Sequence, residues 1–283
     1  MLKGVHRRSI GIGNDGQMMA PQGLETGGDG KPTIVFPSPD NVAVFDDFLD
    51  AGDTGSTPDA MTKFRQGYWV KGFHDTGQMV PSTGIVGNSF TVGFTNGIYR
   101  MTSSATSGQD VITGTQSLNS PRGWKANQGR LRFGARLKID TLAGNSLFVG
   151  FTDTGGNELA VYDTGGGILT PASDYVGFIC SGEGGATQQA WRAVAGAATV
   201  DQSATTGVTP VAGVYTTLEL EVGSTGGPTT FWIDGKPVAQ IASASVTATV
   251  ALAGGVWRAN TDGAADAIDI DWMNVSAARD TGT

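Results

Sequence analysis

The sequence predicts an all-β chain, an antiparallel two-sheet β-sandwich with an extended N-terminal arm. Three observations predict it. Short runs rich in Val, Ile, Phe and Thr alternate apolar with polar residues, the period of a strand with one buried face. Glycine supplies 44 of the 283 residues, about twice the usual share, and is scattered between those runs as turn punctuation. No stretch carries the periodicity of an amphipathic helix.

The most explicit element is 229–241, TTFWIDGKPVAQI. Two alternating runs flank Asp234-Gly235, and Asp-Gly supplies the positive φ values that a two-residue hairpin turn needs. Phe231 and Ile233 then point to one face and Trp232 to the other, because side chains alternate along a strand.

Taken in order, residues 1–41 differ from the rest. Lys3, His6, Arg7 and Arg8 open the segment, and Gly11, Gly13, Gly16, Gly23, Gly27, Gly28 and Gly30 follow, with Pro21, Pro32, Pro37 and Pro39. Only 34–36 resembles a strand. Such a segment buries too little apolar surface to fold alone. A solvated tail is the plain reading. Yet Leu2, Val5, Ile10, Ile12, Met18, Met19 and Leu24 are spaced apolar pegs that a solvating tail does not need. With Arg7 and Arg8 they are the candidate partner-binding residues of an arm that orders on a neighbouring subunit.

The sandwich is expected over 42–276, with 277–283 as a tail. It opens at 42–45, VAVF, and after the polar loop 50–59 comes 67–73 with Tyr68 and Trp69. Runs 89–95 and 98–103 flank Asn96-Gly97, the strongest short hairpin signal. Over 129–140, Leu131, Phe133, Ala135, Leu137 and Ile139 alternate with Arg130, Arg132, Arg136 and Lys138, a half-buried strand with a basic outer face. Runs 146–152 and 157–162 read as a hairpin around 153–156, and 174–180 pairs with 187–194. Run 214–222 leads into the Asp-Gly hairpin, and 246–252, 256–259 and 267–275 complete the set.

Composition narrows the partners. A net charge of −8 argues against a nucleic-acid surface, which needs clustered Lys and Arg. The single cysteine, Cys180, forms no intrachain disulfide and reads as a buried thiol. No apolar run is long enough to span a membrane, and no apolar stretch follows the basic N-terminal residues, so no signal peptide is read.

The series RLRFGARLKI at 130–139, SLFVGFTDTGGNELAVY at 146–162, DYVGFIC at 174–180, and YTTLELEV at 215–222 running into TTFWIDGKPV resembles the concanavalin A-like jelly-roll superfamily of laminin-G domains, legume lectins and glucanases. The closing AIDIDWMNVS at 267–276 looks like that family's terminal strand, which pairs beside the first one, here 42–48. Together with FDDFL at 45–49, the pattern resembles modules of tailed-bacteriophage capsid decoration and fibre proteins. That resemblance implies a virion structural protein, a cement protein made in the host cytoplasm and carried on the capsid exterior. Its partners would be the major capsid protein and copies of itself, with a trimer expected. The alternative it implies is a carbohydrate-binding module of a tail fibre or adhesin. Neither involves nucleic acid or membrane.

Several motifs invite chemistry and are set aside. Gly11-Ile12-Gly13-Asn14-Asp15-Gly16 fits G-x-G-x-x-G, but Pro21 and Gly23 follow where a phosphate-binding helix would have to start. Asp-Thr-Gly occurs five times, at Asp53, Asp75, Asp153, Asp163 and Asp280, too often for a protease dyad and in keeping with turn chemistry. Retaining glucanases of the resembled superfamily carry Glu-x-Asp-x-Glu on one strand. Here only Asp269-Ile270-Asp271 and Glu219-Leu220-Glu221 have paired spacing, each without a third carboxylate, and both read as solvent-facing strand positions. A divergent glycoside hydrolase is thus the least favoured reading, and no catalytic residues are assigned. His74 has no G-x-S-x-G nucleophile to serve, and histidines are too few for zinc. Lectin-like relatives often hold calcium, and Asp46, Asp47, Asp50 and Asp53 are acidic loop residues, but their spacing does not fix six oxygens, so no metal or other cofactor is assigned. Among the six tryptophans, Trp124, beside Pro121, Arg122 and Lys125, is the candidate exposed contact for a glycan or a surface.

Overall fold

The computed structural model describes residues 11–12, 18–19, 41–46, 70–73, 94–95, 98–102, 109–114, 123–143, 145–153, 162–163, 168–170, 172–182, 189–198, 200–260 and 267–278, those before 123 as backbone. Its strands are β1 (Gly11–Ile12), β2 (Met18–Met19), β3 (Asn41–Asp46), β4 (Val70–Phe73), β5 (Phe94–Thr95), β6 (Ile98–Thr102) and β7 (Gln109–Gly114). Then follow β8 (Leu131–Ile139), β9 (Asn145–Thr152), β10 (Tyr162–Asp163), β11 (Ile168–Leu169), β12 (Tyr175–Ser181), β13 (Arg192–Ala197) and β14 (Val200–Thr205). The last five are β15 (Tyr215–Val222), β16 (Thr229–Ile233), β17 (Lys236–Ile241), β18 (Ala253–Asn260) and β19 (Ala267–Ala278). The only helical turn among the described residues is the short 3-10 segment Ala126–Gln128.

Two antiparallel sheets carry the fold. One has seven strands in the order β14-β13-β12-β9-β18-β7-β4. The other has eight, β17-β16-β15-β8-β19-β6-β5, with β3 pairing β19 beside β6. The long strand β19 therefore takes β8 along one edge and shares the other between β6 and β3.

The core follows from alternation. On β8, Leu131, Phe133, Ala135, Leu137 and Ile139 are buried while Arg132, Arg136 and Lys138 stay half-exposed, the period read from the sequence. Facing them from the seven-stranded sheet are Leu147, Val149 and Phe151 of β9 and Val176, Phe178 and Cys180 of β12. Phe178 packs edge-on against Trp191 and against Phe231 of the opposite sheet, with ring centroids at 6.3 and 5.3 Å. The hairpin β16–β17 turns on Asp234 and Gly235, at φ 50° and 71°. Phe231 and Ile233 are buried and Trp232 is half-buried, as alternation requires.

Some expectations need correction. Run 146–152 does not form a hairpin with 157–162. Both edges of β9 are already occupied, by β12 and by β18, and β10 pairs with β11 instead. Nor is 246–252 a strand. Val246 and Leu252 are buried, but the backbone between them turns, with Val250 N–H donating to the Thr247 carbonyl at 3.0 Å, and only Leu252 forms a bridge, to Trp124. Burial there is achieved by a looped plug, which an apolar run alone does not distinguish from a strand. The partner of β12 begins at Arg192, not at 187. β7 and β14 were not foreseen; β14 is a polar edge strand with Val200 64% exposed, so it lacks the buried alternation that marks the others. β18 starts earlier than 256 because Gly254, pressed against Val275, Phe151 and Phe133, leaves no apolar signal. In the arm, β1 pairs with β2, whereas 34–36 lies outside the described residues.

Candidate functional site

The basic residues of β8 all project from the outer face of the eight-stranded sheet, because every second side chain goes to the core. β8 lies between β15 and β19, so its neighbours on that face are Tyr215, Thr217, Glu219 and Glu221 on one side and Asp269, Trp272, Asn274 and Ser276 on the other. A bulge between Ile270 and Trp272 adds Asp271 to the same neighbourhood. Both i, i+2 carboxylate pairs therefore flank one basic strand.

The ion pairs run along it. Lys138 Nζ donates to Asp269 at 2.7 Å, and that bond raises the lysine above its ordinary range. Arg136 pairs with Asp271, and its guanidinium lies 4.5 Å from the centre of the Tyr215 ring. Arg132 and Arg130 both reach Glu221, at 2.6 and 3.2 Å. Asp269 is 2% exposed, so it is not the solvent-facing position expected from the sequence; its ion pair to Lys138 lets the charge be covered.

The row breaks at Gly134. This residue stands where the next base would be, directly opposite Glu219 on β15 and Asn274 on β19. The Trp272 ring fills the vacated space: a Cβ on Gly134 would lie 3.1 Å from its Cζ3 and 3.6 Å from Glu219 Cγ. On the far side of Glu219, its cross-strand neighbour is Trp232 of β16. Glu219 thus sits between two half-buried indoles without a base of its own. Burial pushes its carboxyl up to about 7, and Arg132, already engaged by Glu221, only partly offsets this.

The outer face of the seven-stranded sheet is different. Phe148, Tyr175, Ile179, Val194 and Trp257 form a second buried apolar cluster there. The Tyr175 hydroxyl donates to Asp201 at 2.6 Å, and burial raises this phenol well above its ordinary value. The more exposed polar face is the one built on β8, where Arg132, Arg136 and Lys138 are half-exposed although Asp269, Asn274 and Ser276 beside them are buried.

The residues assigned from the sequence fall as follows. Ile12, Met18 and Met19 lie in the paired β1 and β2 backbone, while Leu2, Val5, Arg7, Arg8, Ile10 and Leu24 lie outside the described residues. Gly11 and Ile12 of the G-x-G-x-x-G match are a strand, and Met18–Met19 after it is another, the opposite of the helix a phosphate loop requires. Trp124 is half-buried, packed against the main core and bridged to Leu252 through its backbone N–H and carbonyl. His74, Asp47, Asp50 and Asp53 lie outside the described residues, as do Asp75 and Asp280. Asp153 is a loop anchor that accepts from the Ser173 hydroxyl at 2.6 Å. Cys180 is buried, and its thiol is pushed up to about 12 by burial. No group of three His, Cys, Asp or Glu suited to a metal occurs among the described residues. The sequence reading missed Glu219 between Trp232 and Trp272; the signal was Gly134 interrupting an otherwise unbroken basic alternation.

No protein-family model and no curated protein matches the chain. Solved structures do. A non-specific endo-beta-1,3(4)-glucanase from family GH16 superposes with a TM-score of 0.51 at 12% identity, covering 88% of this chain and 96% of its own. Peanut lectin superposes with a TM-score of 0.50 at 9% identity, covering 84% and 97%. The fold is a concanavalin A-like β-sandwich. The terminal strand pairs with the first strand of that sandwich, β19 with β3, as the resemblance implied.

Proposed function

We propose that the chain is a non-catalytic contact protein, a virion structural sandwich of the capsid-decoration kind that binds and stabilises a shell through its arm and its sheet surface. The observation that carries this reading is the state of the carboxylates on the open face. Glycoside hydrolysis needs one protonated and one ionised carboxyl, both free to meet the sugar. Glu219 has the first property, but Glu221 is held by Arg130 and Arg132, Asp271 by Arg136 and Asp269 by Lys138. Such a surface is suited to adhesion. Self-association as a trimer and attachment to the major capsid protein belong to the same reading.

The experiment is sedimentation of the purified chain with isolated shells, at saturating chain. Stoichiometric binding that is lost on deleting residues 1–31, with the body still folded by circular dichroism, is expected. Binding retained by that truncation would remove the arm from the proposal, and no binding by the full chain would end it.

A second reading, a carbohydrate-binding module, is favoured by one feature: two half-buried indoles, Trp232 and Trp272, on an open sheet face with charged hydrogen-bonding groups beside them. Glycan-array binding lost in Trp232→Ala, or in Trp124→Ala, would favour it over the first.

A further inference from the structure

We propose that β14 is a self-pairing edge: two copies of the chain join their β14 strands antiparallel across a two-fold axis at Ser203, so that their seven-stranded sheets run on as one. This goes beyond the contact reading above and does not rest on it. An edge that meets itself is a two-fold contact and makes a dimer, where that reading expects a trimer.

β14 closes one side of its sheet, pairing with β13 and with no other strand among the described residues. Such an edge leaves a row of backbone donors and acceptors without ladder partners, and exposed edges commonly carry Lys, Pro or a bulge that discourages pairing. The neighbouring edge of the other sheet, β17, has these: Lys236, Pro237 and a register shift opposite Phe231 and Trp232. β14 reads VDQSAT, without Lys, Arg or Pro, and its register with β13 is unbroken over all six pairs. It is also open to solvent, with Val200, Asp201, Ser203 and Thr205 exposed.

The edge is complementary to itself. Thr206 N–H donates to the Trp191 carbonyl, which fixes the parity of the ladder. Val200, Gln202 and Ala204 bond inward to β13, and Asp201, Ser203 and Thr205 turn their N–H and C=O outward. Centred on Ser203, two copies match Ser203 with Ser203 and Asp201 with Thr205, using every outward group in about six hydrogen bonds. No like charges oppose, because Asp201 is the only charged residue of the strand. Arg192 on β13 lies across from Thr205, and its guanidinium reaches over the edge strand to Ser203 Oγ at 3.4 Å. The second copy's Asp201, opposite Thr205, enters beside that cation. The large apolar side chains left exposed among the described residues are Val200, Val211 and Val214. Val200 begins β14, and the other two lie on 206–214, which leaves its far end. Antiparallel pairing reverses one copy against the other, so each Val200 comes to the end from which the other copy's two valines depart.

The test is sedimentation velocity of the full chain over a concentration series, and a reversible monomer–dimer equilibrium is expected. Ser203→Pro deletes an outward N–H and leaves the bonds to β13 intact. It should weaken the dimer about thirtyfold, since two hydrogen bonds are lost across the axis. Ser203→Lys sets two ammonium groups face to face and should weaken it as well, while Ser203→Ala should not. Circular dichroism should be unchanged in all three. Cys180 is buried, so a short bis-maleimide should join Ser203→Cys into a covalent dimer and leave Lys236→Cys unjoined. A monomer at every concentration, a trimer, or a dimer indifferent to both Ser203→Pro and Ser203→Lys would overturn the edge contact. Failure here with intact shell sedimentation leaves the contact function standing, and a β14 dimer that binds no shell does the reverse.

Discussion

Replacing Glu219 by glutamine separates the unpaired carboxyl from everything else on the open face. In the folded chain this group holds its proton to about pH 7, against an ordinary 4.5. The folded state therefore binds a proton that the unfolded chain has given up between those values. Relative to high pH, the stability linked to this group is fully present below about pH 4.5 and is lost as pH rises through about 7. At about 1.4 kcal/mol for each tenfold change in proton affinity, the whole difference corresponds to roughly 3 kcal/mol. The side chain keeps part of its surface in water, so screening reduces the expected effect to about 1–2 kcal/mol. The assay is urea unfolding of both proteins by tryptophan fluorescence at about pH 5 and about pH 8.5, values that bracket the transition. The unsubstituted chain should lose about 1–2 kcal/mol more than the glutamine variant between the two, and the variant should be the more stable at the upper pH. Contributions from other titrating groups cancel in the difference. Identical pH profiles, or a variant less stable at the upper pH, would refute the claim that the desolvation of Glu219 is only partly compensated.

Three further outcomes follow from the packing. Phe178→Ala removes the ring that joins the two sheets through Trp191 and Phe231, and should cost about 3–5 kcal/mol in chemical denaturation. Gly196→Ala would place a Cβ 2.3 Å from Tyr175 Cε1, so the ring must tilt and release Asp201; a loss of about 1–3 kcal/mol is expected, with a change in near-ultraviolet tyrosine dichroism. Cys180 should resist a thiol-specific chromogenic reagent in the native protein and react fully in denaturant, because both burial and its raised proton affinity withhold the thiolate.

How far the fold was legible depended on whether each strand kept its own pattern. β8, β15 and the β16–β17 hairpin were read almost residue for residue, since each buries alternate positions and the turn has its own chemistry in Asp234-Gly235. β14 was missed because an edge strand buries little, and β18 was cut short because Gly254 packs by being absent. The false strand at 246–252 and the false hairpin at 146–162 share one cause. Local apolarity reports that a segment is buried, but not which neighbour it meets, and β9 meets β12 and β18, one nearby in sequence and one far away.

The candidate site was half legible for a related reason. The basic alternation of β8 and the two carboxylate pairs were each visible in the sequence, but on separate stretches that only the strand order brings together, with β15 and β19 on either side of β8. Once that order is known, the position of each charge is fixed by register, and the exception becomes informative. A lysine or arginine at 134 would complete the row and neutralise Glu219, as its neighbours on β8 neutralise Glu221, Asp271 and Asp269. Glycine there instead admits the Trp272 ring and leaves a carboxyl without an ion pair between two indoles. That arrangement costs the folded chain stability above neutral pH, set against the packing of the Trp272 ring on Gly134.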